Sequence, residues 1–366
     1  MAMRAASTAS GPPVPVPPSG YKIHLPADQY WHVDAPTEWW WHIGTLKAGD
    51  RIFGFEINAA GYPKYASVPY AFTQVMLSDV AKAKHYQKTT GYPPPGLGFP
   101  PPNVDFKTWA QSDPTKAWHV ALGTPAEGAY VAMNAPQADP TKNMTVRAHM
   151  ADELTGTEID FDLMMSQQGP PFMAFGTGVK LNPDKSGPPL EVNNYYYSLT
   201  RLQASGTIKI GAESFAVTGM TWMDHEYGNF GSAGDPVMWI LQNAQLDNGW
   251  HLMNFVSFNL KNGPPKLGDR TPSNVTLQGP DGAMYYFDAD SQQAFMTPTG
   301  RTWKNYFLEY LVEILPFQAT LTVKSLIDDQ AFSSTGGGVY EGVAAASGMF
   351  QGQQVSGTAW NEQLLK

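Results

Sequence analysis

The chain has 366 residues, a formal net charge of −9 and no cysteine. Its length allows two ordinary domains or one large β domain. The acidic balance excludes nucleic-acid binding through phosphates, which needs clustered Lys and Arg, and the missing thiols exclude disulfides, cysteine nucleophiles and cysteine-held metals.

Aromatics make up 13% of the residues and charged groups only 15%. The rings must therefore fill a thick core, line a ligand cavity, or both. No apolar run reaches the roughly 18 residues of a spanning helix. Residues 1–20, with the run Gly11-Pro-Pro-Val-Pro-Val-Pro-Pro18, lack the apolar centre of a signal peptide and read as a disordered or polyproline tail. A tail left after removal of an export signal reads the same way. The expectation is a soluble protein, cytoplasmic or exported in mature form, of unassigned oligomeric state.

From residue 21 onward short alternating runs recur between Gly, Pro and Asn-Gly punctuation, while helical periodicity is scarce. Examples are Arg51–Ile57, Ala129–Met133, Gly206–Ile210, Trp250–Phe258 and Ala319–Val323. They predict antiparallel β structure, a sandwich or a barrel. Asp247-Asn-Gly249 suits a hairpin turn. Gly91–Pro102, with its prolines, is a loop.

The first chemically loaded run is Thr37-Glu-Trp-Trp-Trp-His42. Strand alternation puts Glu38, Trp40 and His42 on one face and Trp39, Trp41 and Ile43 on the other. Three consecutive Trp cannot all fill one core, so a second buried surface is expected. A carboxyl among indoles should rise in pKa, making Glu38 a candidate proton donor. The alternative is a buried Glu that pins strand pairing.

Next comes Asn193–Arg201, with Tyr195, Tyr197 and Leu199 on one side and Tyr196, Ser198 and Thr200 on the other. Arg201 is expected to pair with Asp224 or Glu226. Those acids belong to Thr221-Trp-Met-Asp-His-Glu-Tyr-Gly228. There His225 and Tyr227 share a face with Met223, opposite Trp222, Asp224 and Glu226. The first face can present an imidazole and a phenol to an apolar cavity, and a bulge or neighbouring strand can bring Asp224 or Glu226 into the same site. Salt bridging of the two acids is the structural alternative.

A weak repeat spans the chain. Val217-Thr-Gly-Met-Thr-Trp222 is echoed by Val355-Ser-Gly-Thr-Ala-Trp360, and Ala204-Ser-Gly206 by Ala346-Ser-Gly348. The interval is domain-sized and too long for a solenoid. Two related barrels in tandem explain it, as does chance likeness of Gly-rich strands.

Several signatures are absent. Ser232 has Phe230 where the first Gly of a nucleophile elbow belongs. His225-Glu226 lacks the second His of a zinc-protease helix, and no nucleotide-binding Gly loop is present. The eight His are scattered, so neither a metal nor a cofactor is assigned. Asn143-Met-Thr145 and Asn274-Val-Thr276 match glycosylation sequons.

Thr37–Gly44, Tyr196–Arg201 and Gly219–Gly228, in that order and followed by Tyr340-Glu-Gly342 and Gly357–Glu362, resemble the signature blocks of the lipocalin-like AttH/CrtC family. That family includes carotenoid 1,2-hydratases, kievitone hydratase and secreted hydrolase-like proteins, and related two-barrel proteins act as pericyclic cyclases. The resemblance implies two consecutive lipocalin-like antiparallel β-barrels, residues 21–230 and 231–366, with a ligand pocket in or between them. His225 and Tyr227 resemble the His and aromatic of the hydratases' third block. Those enzymes also use an acid on a following strand, where this chain offers His251 and Asn254. Asp224, Glu226 or Glu38 are then the available proton donors.

The combined expectation is an acid–base catalyst of hydratase (hydro-lyase) type acting on a terpenoid, polyene or polyketide. The alternatives are a pericyclic cyclase and a carrier of an apolar ligand. Candidate catalytic residues are His225, Asp224, Glu226, Tyr227 and Glu38; candidate substrate-binding residues are Trp40, His42, Tyr195, Tyr197, Trp222, Trp239 and Asn254.

Overall fold

A computed structural model describes residues 22–365 except 65–66, 97, 99, 137–138, 183–185, 231–237, 260 and 333–337. The Pro-rich tail and Ser232 therefore lie outside the described residues, as does the expected start of the second barrel at residue 231. The architecture is all-β, and its helices are single turns. Among the described residues no helix is long and apolar enough to cross a membrane.

The first sheet opens with β1 (Thr37–Ala48), β2 (Arg51–Tyr62), β3 (Tyr70–Asp79), β4 (Lys84–Tyr92), β5 (Trp118–Thr124) and β6 (Ala129–Ala135). It continues with β7 (Asn143–Ala151), β8 (Glu158–Gln167), β9 (Phe172–Met173), β10 (Val179–Lys180), β11 (Asn194–Ile210) and β12 (Glu213–Gly228). The second holds β13 (Met238–Leu246), β14 (His251–Phe258), β15 (Thr271–Pro272), β16 (Asn274–Gln278) and β17 (Met284–Phe287). Its remaining strands are β18 (Ala294–Trp303), β19 (Tyr306–Ile314), β20 (Ala319–Ser325), β21 (Val339–Phe350) and β22 (Gln353–Leu364).

Spatial order in the first sheet is β4-β3-β2-β1-β12-β11-β8-β7-β6-β5, with β9 and β10 added to β11. In the second it is β17-β16-β14-β13-β22-β21-β20-β19-β18-β15. The two orders correspond strand for strand. In each, the last strand returns antiparallel to the first, β12 onto β1 and β22 onto β13, and the sheet curls into a nearly closed barrel.

The sequence repeat marks equivalent crossings in this scheme. Gly206 pairs with Val217, and Gly348 with Val355. A Cβ at Gly206 would sit 2.1 Å from the Asp162 carbonyl of β8, and one at Gly348 would sit 2.1 Å from Thr320 of the equivalent β20. Gly219 and Gly357 likewise face Thr45 of β1 and Gln245 of β13, at 2.1 and 2.2 Å. Only glycine lets the neighbouring backbones come this close.

Core side chains fill the first barrel, among them Trp40, Phe53, Phe55, Trp118, Phe161 and Tyr197. The second is filled by residues such as Leu252, Leu277, Leu321 and Phe350. A third apolar cluster lies between the barrels, where Ile43, Met76 and Trp222 meet Leu241, Met253, Val343 and Trp360. β1 and β12 are thus buried on both faces, the second buried surface that the Trp triplet demands.

Candidate active site

The three central strands of the first barrel run in tight register. Trp39 pairs with Glu226, which pairs with Tyr196; Trp41 pairs with Asp224, which pairs with Ser198. These six side chains lie on the outer face of the barrel, against its partner. Trp40, His225 and Tyr197 form the next triple and point inward. Alternation therefore splits the titratable trio: two carboxyls go out and one imidazole goes in.

Between the barrels is a cavity of about 840 Å³. The first barrel contributes Trp39, Trp41, Tyr62, Tyr70, Phe72, Asn194, Tyr196, Asp224 and Glu226. Trp239, Leu241, Met253, Phe255, Tyr286 and Glu362 come from the second, and Phe175 and Lys180 from the segment before β11. Three carboxyls thus share an aromatic enclosure.

Each carboxyl is held by neutral donors. Asp224 Oδ1 accepts from Ser198 Oγ at 2.5 Å and from the Trp222 indole N–H at 2.7 Å. Glu226 Oε1 accepts from Asn194 Nδ2 at 2.6 Å, and Glu362 accepts from the Trp239 indole N–H. Burial pushes Asp224 up to about 6, against the restraint of Ser198, Trp222 and Tyr196. The same desolvation, reinforced by Asp224 and Glu362 and opposed by Asn194, lifts Glu226 to about 8. Glu362 rises to about 7 through burial and Asp224, against its bond from Trp239. Burial, with these three acids around it, also keeps the Tyr196 phenol protonated.

Inside the first barrel is a different network. Glu38 Oε1 lies 2.8 Å from His225 Nε2 and 2.9 Å from His32 Nδ1, while its Oε2 accepts from the His32 backbone N–H at 2.8 Å. A carboxylate only accepts, so both ring nitrogens carry protons. His225 Nδ1 faces the Tyr197 hydroxyl at 3.1 Å, with the Gln29 side chain against the same hydroxyl. Trp40 stacks on His225 at 4.6 Å and Tyr227 on His32 at 3.8 Å. The segment carrying Asp28, Gln29 and His32 is tied to the first barrel here.

This network revises several expectations. Burial acts to raise Glu38, yet His32 and His225 outweigh it and hold the carboxyl below its usual value. Glu38 is ionised and is no proton donor at neutral pH. His32 is the counter-ion: burial would lower it, but Glu38 and Asp28 raise it to about 9. Burial lowers His225 despite Glu38, so its imidazole is neutral. The ligand atoms of His32, Glu38 and His225 lie within 4.8 Å of one another, the one such set among the described residues. Hydrogen bonding already accounts for that spacing.

Of the expected substrate contacts, Trp239 lines the cavity. Trp222 lies behind it and reaches it only through Asp224. Trp40, His42 and Tyr197 point into the first barrel, and Tyr195 and Tyr227 stack on each other at 5.0 Å away from the cavity. Asn254 points into the second barrel and donates to Gln242 Oε1 at 2.6 Å. Arg201 pairs with neither acid. A bulge between Leu199 and Leu202 re-aims it, and its guanidinium donates to the carbonyls of Gly249 at 3.2 Å and Gly279 at 3.0 Å in the second barrel.

Glu362 is the functional candidate that residue patterns missed, and the repeat held its signal. Trp222-x-Asp224 is matched by Trp360-x-Glu362, and the paired positions across each hairpin are Ser198 and Glu341.

Comparison with curated protein sequences gives no match. Among solved structures, an AttH protein from Nitrosomonas europaea superposes with a TM-score of 0.68 at 21% identity, over 97% of this chain and all (100%) of that one. Kievitone hydratase from Nectria haematococca superposes with a TM-score of 0.66 at 13% identity, over 98% of this chain and 99% of that one. At such identities these two establish the fold. The AttH-like family model matches residues 16–362, and the chain belongs to the AttH-like family.

Proposed function

We propose that the protein is an acid–base catalyst of hydratase type, adding water to an apolar unsaturated small molecule held between the barrels. The observation that carries this reading is a cavity of about 840 Å³ with aromatic walls and carboxyls poised at different pKa values. Environments that push two acids apart assign their roles. Glu226, near 8, holds its proton at neutral pH, whereas Asp224, near 6, has lost it. Both leave the same face of β12 two residues apart, roughly 6.5 Å along the strand, with room for a double bond and a water. That a hydratase shares the fold supports the reaction type.

The Glu226 carboxyl protonates one alkene carbon, and the π electrons form the new C–H bond. The cation left on the other carbon faces the Trp39 and Trp41 indoles, each contributing roughly 0.5–2 kcal/mol. Water attacks that carbon while Asp224 accepts its proton, and exchange with solvent returns both acids to their starting forms. Tyr196 and Ser198 hold Asp224 in place.

The test is conversion of a panel of prenylated phenols and polyenes in ¹⁸O-labelled water. Hydration places one labelled oxygen in the product. Glu226→Gln and Asp224→Asn should each lower kcat by about 10²–10⁴-fold. The rate should rise through about pH 6 as Asp224 ionises and fall through about pH 8 as Glu226 loses its proton. A pH-independent conversion retained by both variants sinks the acid–base assignment and favours a cyclase. Tight binding without turnover favours a carrier.

A further inference from the structure

The space between the barrels gathers carboxyls with little positive charge beside them. Asp224, Glu226 and Glu362 line it, and Lys180 is the one cation among the described lining residues. That lysine is exposed and sits over the Phe175 ring at 5.9 Å. Behind Glu362, directly across the β21–β22 pairing, lies Glu341, which accepts from the Trp360 indole N–H at 2.6 Å. Glu56 on β2 is buried in the same electrostatic neighbourhood. Every described hydrogen-bond partner of these five acids is a neutral N–H or O–H donor, and Lys180 adds only a minor pull on Glu226.

The walls point to the same complement. Phe230 stands edge-on to both Trp39, at 5.1 Å, and Trp239, at 5.4 Å, and the Trp239 indole also bonds Glu362. Tyr62 stacks on Trp39 at 6.2 Å and on Tyr70 at 4.9 Å. Aromatic faces around a cluster of carboxyls make the environment that binds a diffuse cation such as a quaternary ammonium. A cationic centre would also pair with the ionised Asp224, which an uncharged ligand leaves without a counter-charge.

We propose that the cavity selects ligands in which an apolar body carries one cationic nitrogen centre beside Glu362, Glu226 and Asp224. The same arrangement would hold the positive carbon of the hydration step, so the inference rests on the cavity being the ligand site and adds the charge of the ligand. A cation favours the ionised acids, so its affinity should rise with pH as Asp224, Glu362 and Glu226 lose their protons in turn. The other titratable groups around this position are Tyr62 and Glu56 on β2, Tyr70 on β3, Lys180 on β10, Tyr196 on β11, Tyr286 on β17 and Glu341 on β21. Burial and the surrounding acids hold the Tyr196 phenol well above its ordinary value, and Glu341 and Glu56 are held well above the usual carboxyl range, chiefly by burial.

Benzyltrimethylammonium and neopentylbenzene have the same shape and differ by one charge. Their binding can be followed by quenching of the Trp39, Trp41 and Trp239 fluorescence and by equilibrium dialysis. The ammonium should bind at least tenfold tighter at pH 8, with the preference shrinking severalfold at pH 5. Glu362→Gln should reduce ammonium affinity about tenfold and leave neopentylbenzene unchanged. Equal or tighter binding of neopentylbenzene at pH 8 overturns the proposal, as does equal weakening of both probes by Glu362→Gln, and either result leaves the hydratase reading standing. Binding of neither probe removes the ligand site itself and both readings with it.

Discussion

One residue of offset on β12 separates two environments. Asp224 and Glu226 face aromatic walls with neutral donors and keep raised pKa values, while His225 faces a carboxylate and a second imidazole inside the barrel. The inner network is an ion pair between Glu38 and His32, with His225 as a neutral third member. His32 is raised to about 9, so its contribution to stability is complete below the ordinary histidine value of 6.5 and disappears as pH climbs through 9. Glu38 is depressed, so its contribution is complete above its ordinary 4.5 and is lost as pH falls through the lower folded value. His32→Gln leaves a buried carboxylate without its cation and should destabilise by on the order of 3 kcal/mol. Urea midpoints of wild type and variant should differ most between pH 5 and 6.5 and converge above pH 9.5. A difference that does not change across that range refutes the ion pair.

At the scale of strands, period-two alternation correctly grouped Glu38 with Trp40, Tyr195 with Tyr197, and Asp224 with Glu226. What it could not supply was the destination of each face. Most strands of a barrel have one buried and one wet side, but here both sides are buried along most of β1, residues 194–200 of β11 and residues 221–228 of β12. Apolar flanks therefore mark the His225 face and the Asp224 face equally, so the candidate contacts divide: Trp40, His42 and Tyr197 lie inside the first barrel, Trp222 lies between the barrels and Trp239 lines the cavity. Arg201 departs from the alternation for a local reason: it lies within the bulge between Leu199 and Leu202. The repeat was the more reliable guide, because its glycines answer to backbone geometry rather than to polarity. Gly219→Ala and Gly357→Ala drive a methyl into a carbonyl at equivalent crossings, and each should lower stability by about 2–4 kcal/mol. Gly91→Ala, with nothing near its Cβ, should stay within about 0.5 kcal/mol. Thermal and urea unfolding of the three variants checks this, and a benign Gly357→Ala beside a damaging Gly219→Ala would break the equivalence of the barrels.

The cavity belongs to the pair of barrels, since both supply its lining while core side chains pack each interior. Polar ties cross the interface between the barrels. Gln245 donates to the carbonyls of Thr200 at 2.7 Å and Thr221 at 3.0 Å, His251 meets the Thr200 hydroxyl at 2.7 Å, and Gln278 donates to Pro171 at 2.9 Å. Arg201 carries the largest share, with three carbonyls of the β13–β14 and β16–β17 turns around its guanidinium. Hydrogen bonds from a charged donor contribute about 1.5–3 kcal/mol each to stability when made, yet none of these touches the cavity. Arg201→Met keeps the apolar stem and removes the fork, so it should lower stability by about 2–4 kcal/mol. It should also loosen ligand affinity severalfold, with the pH limits set by Asp224 and Glu226 unchanged. A tie between otherwise complete barrels also predicts a loss of cooperativity. Unfolding followed by tryptophan fluorescence and by far-ultraviolet dichroism should coincide in the wild type and separate in the variant. If the two probes stay superimposed and affinity is untouched, the barrels are held by their apolar interface alone and Arg201 only caps the turns it reaches.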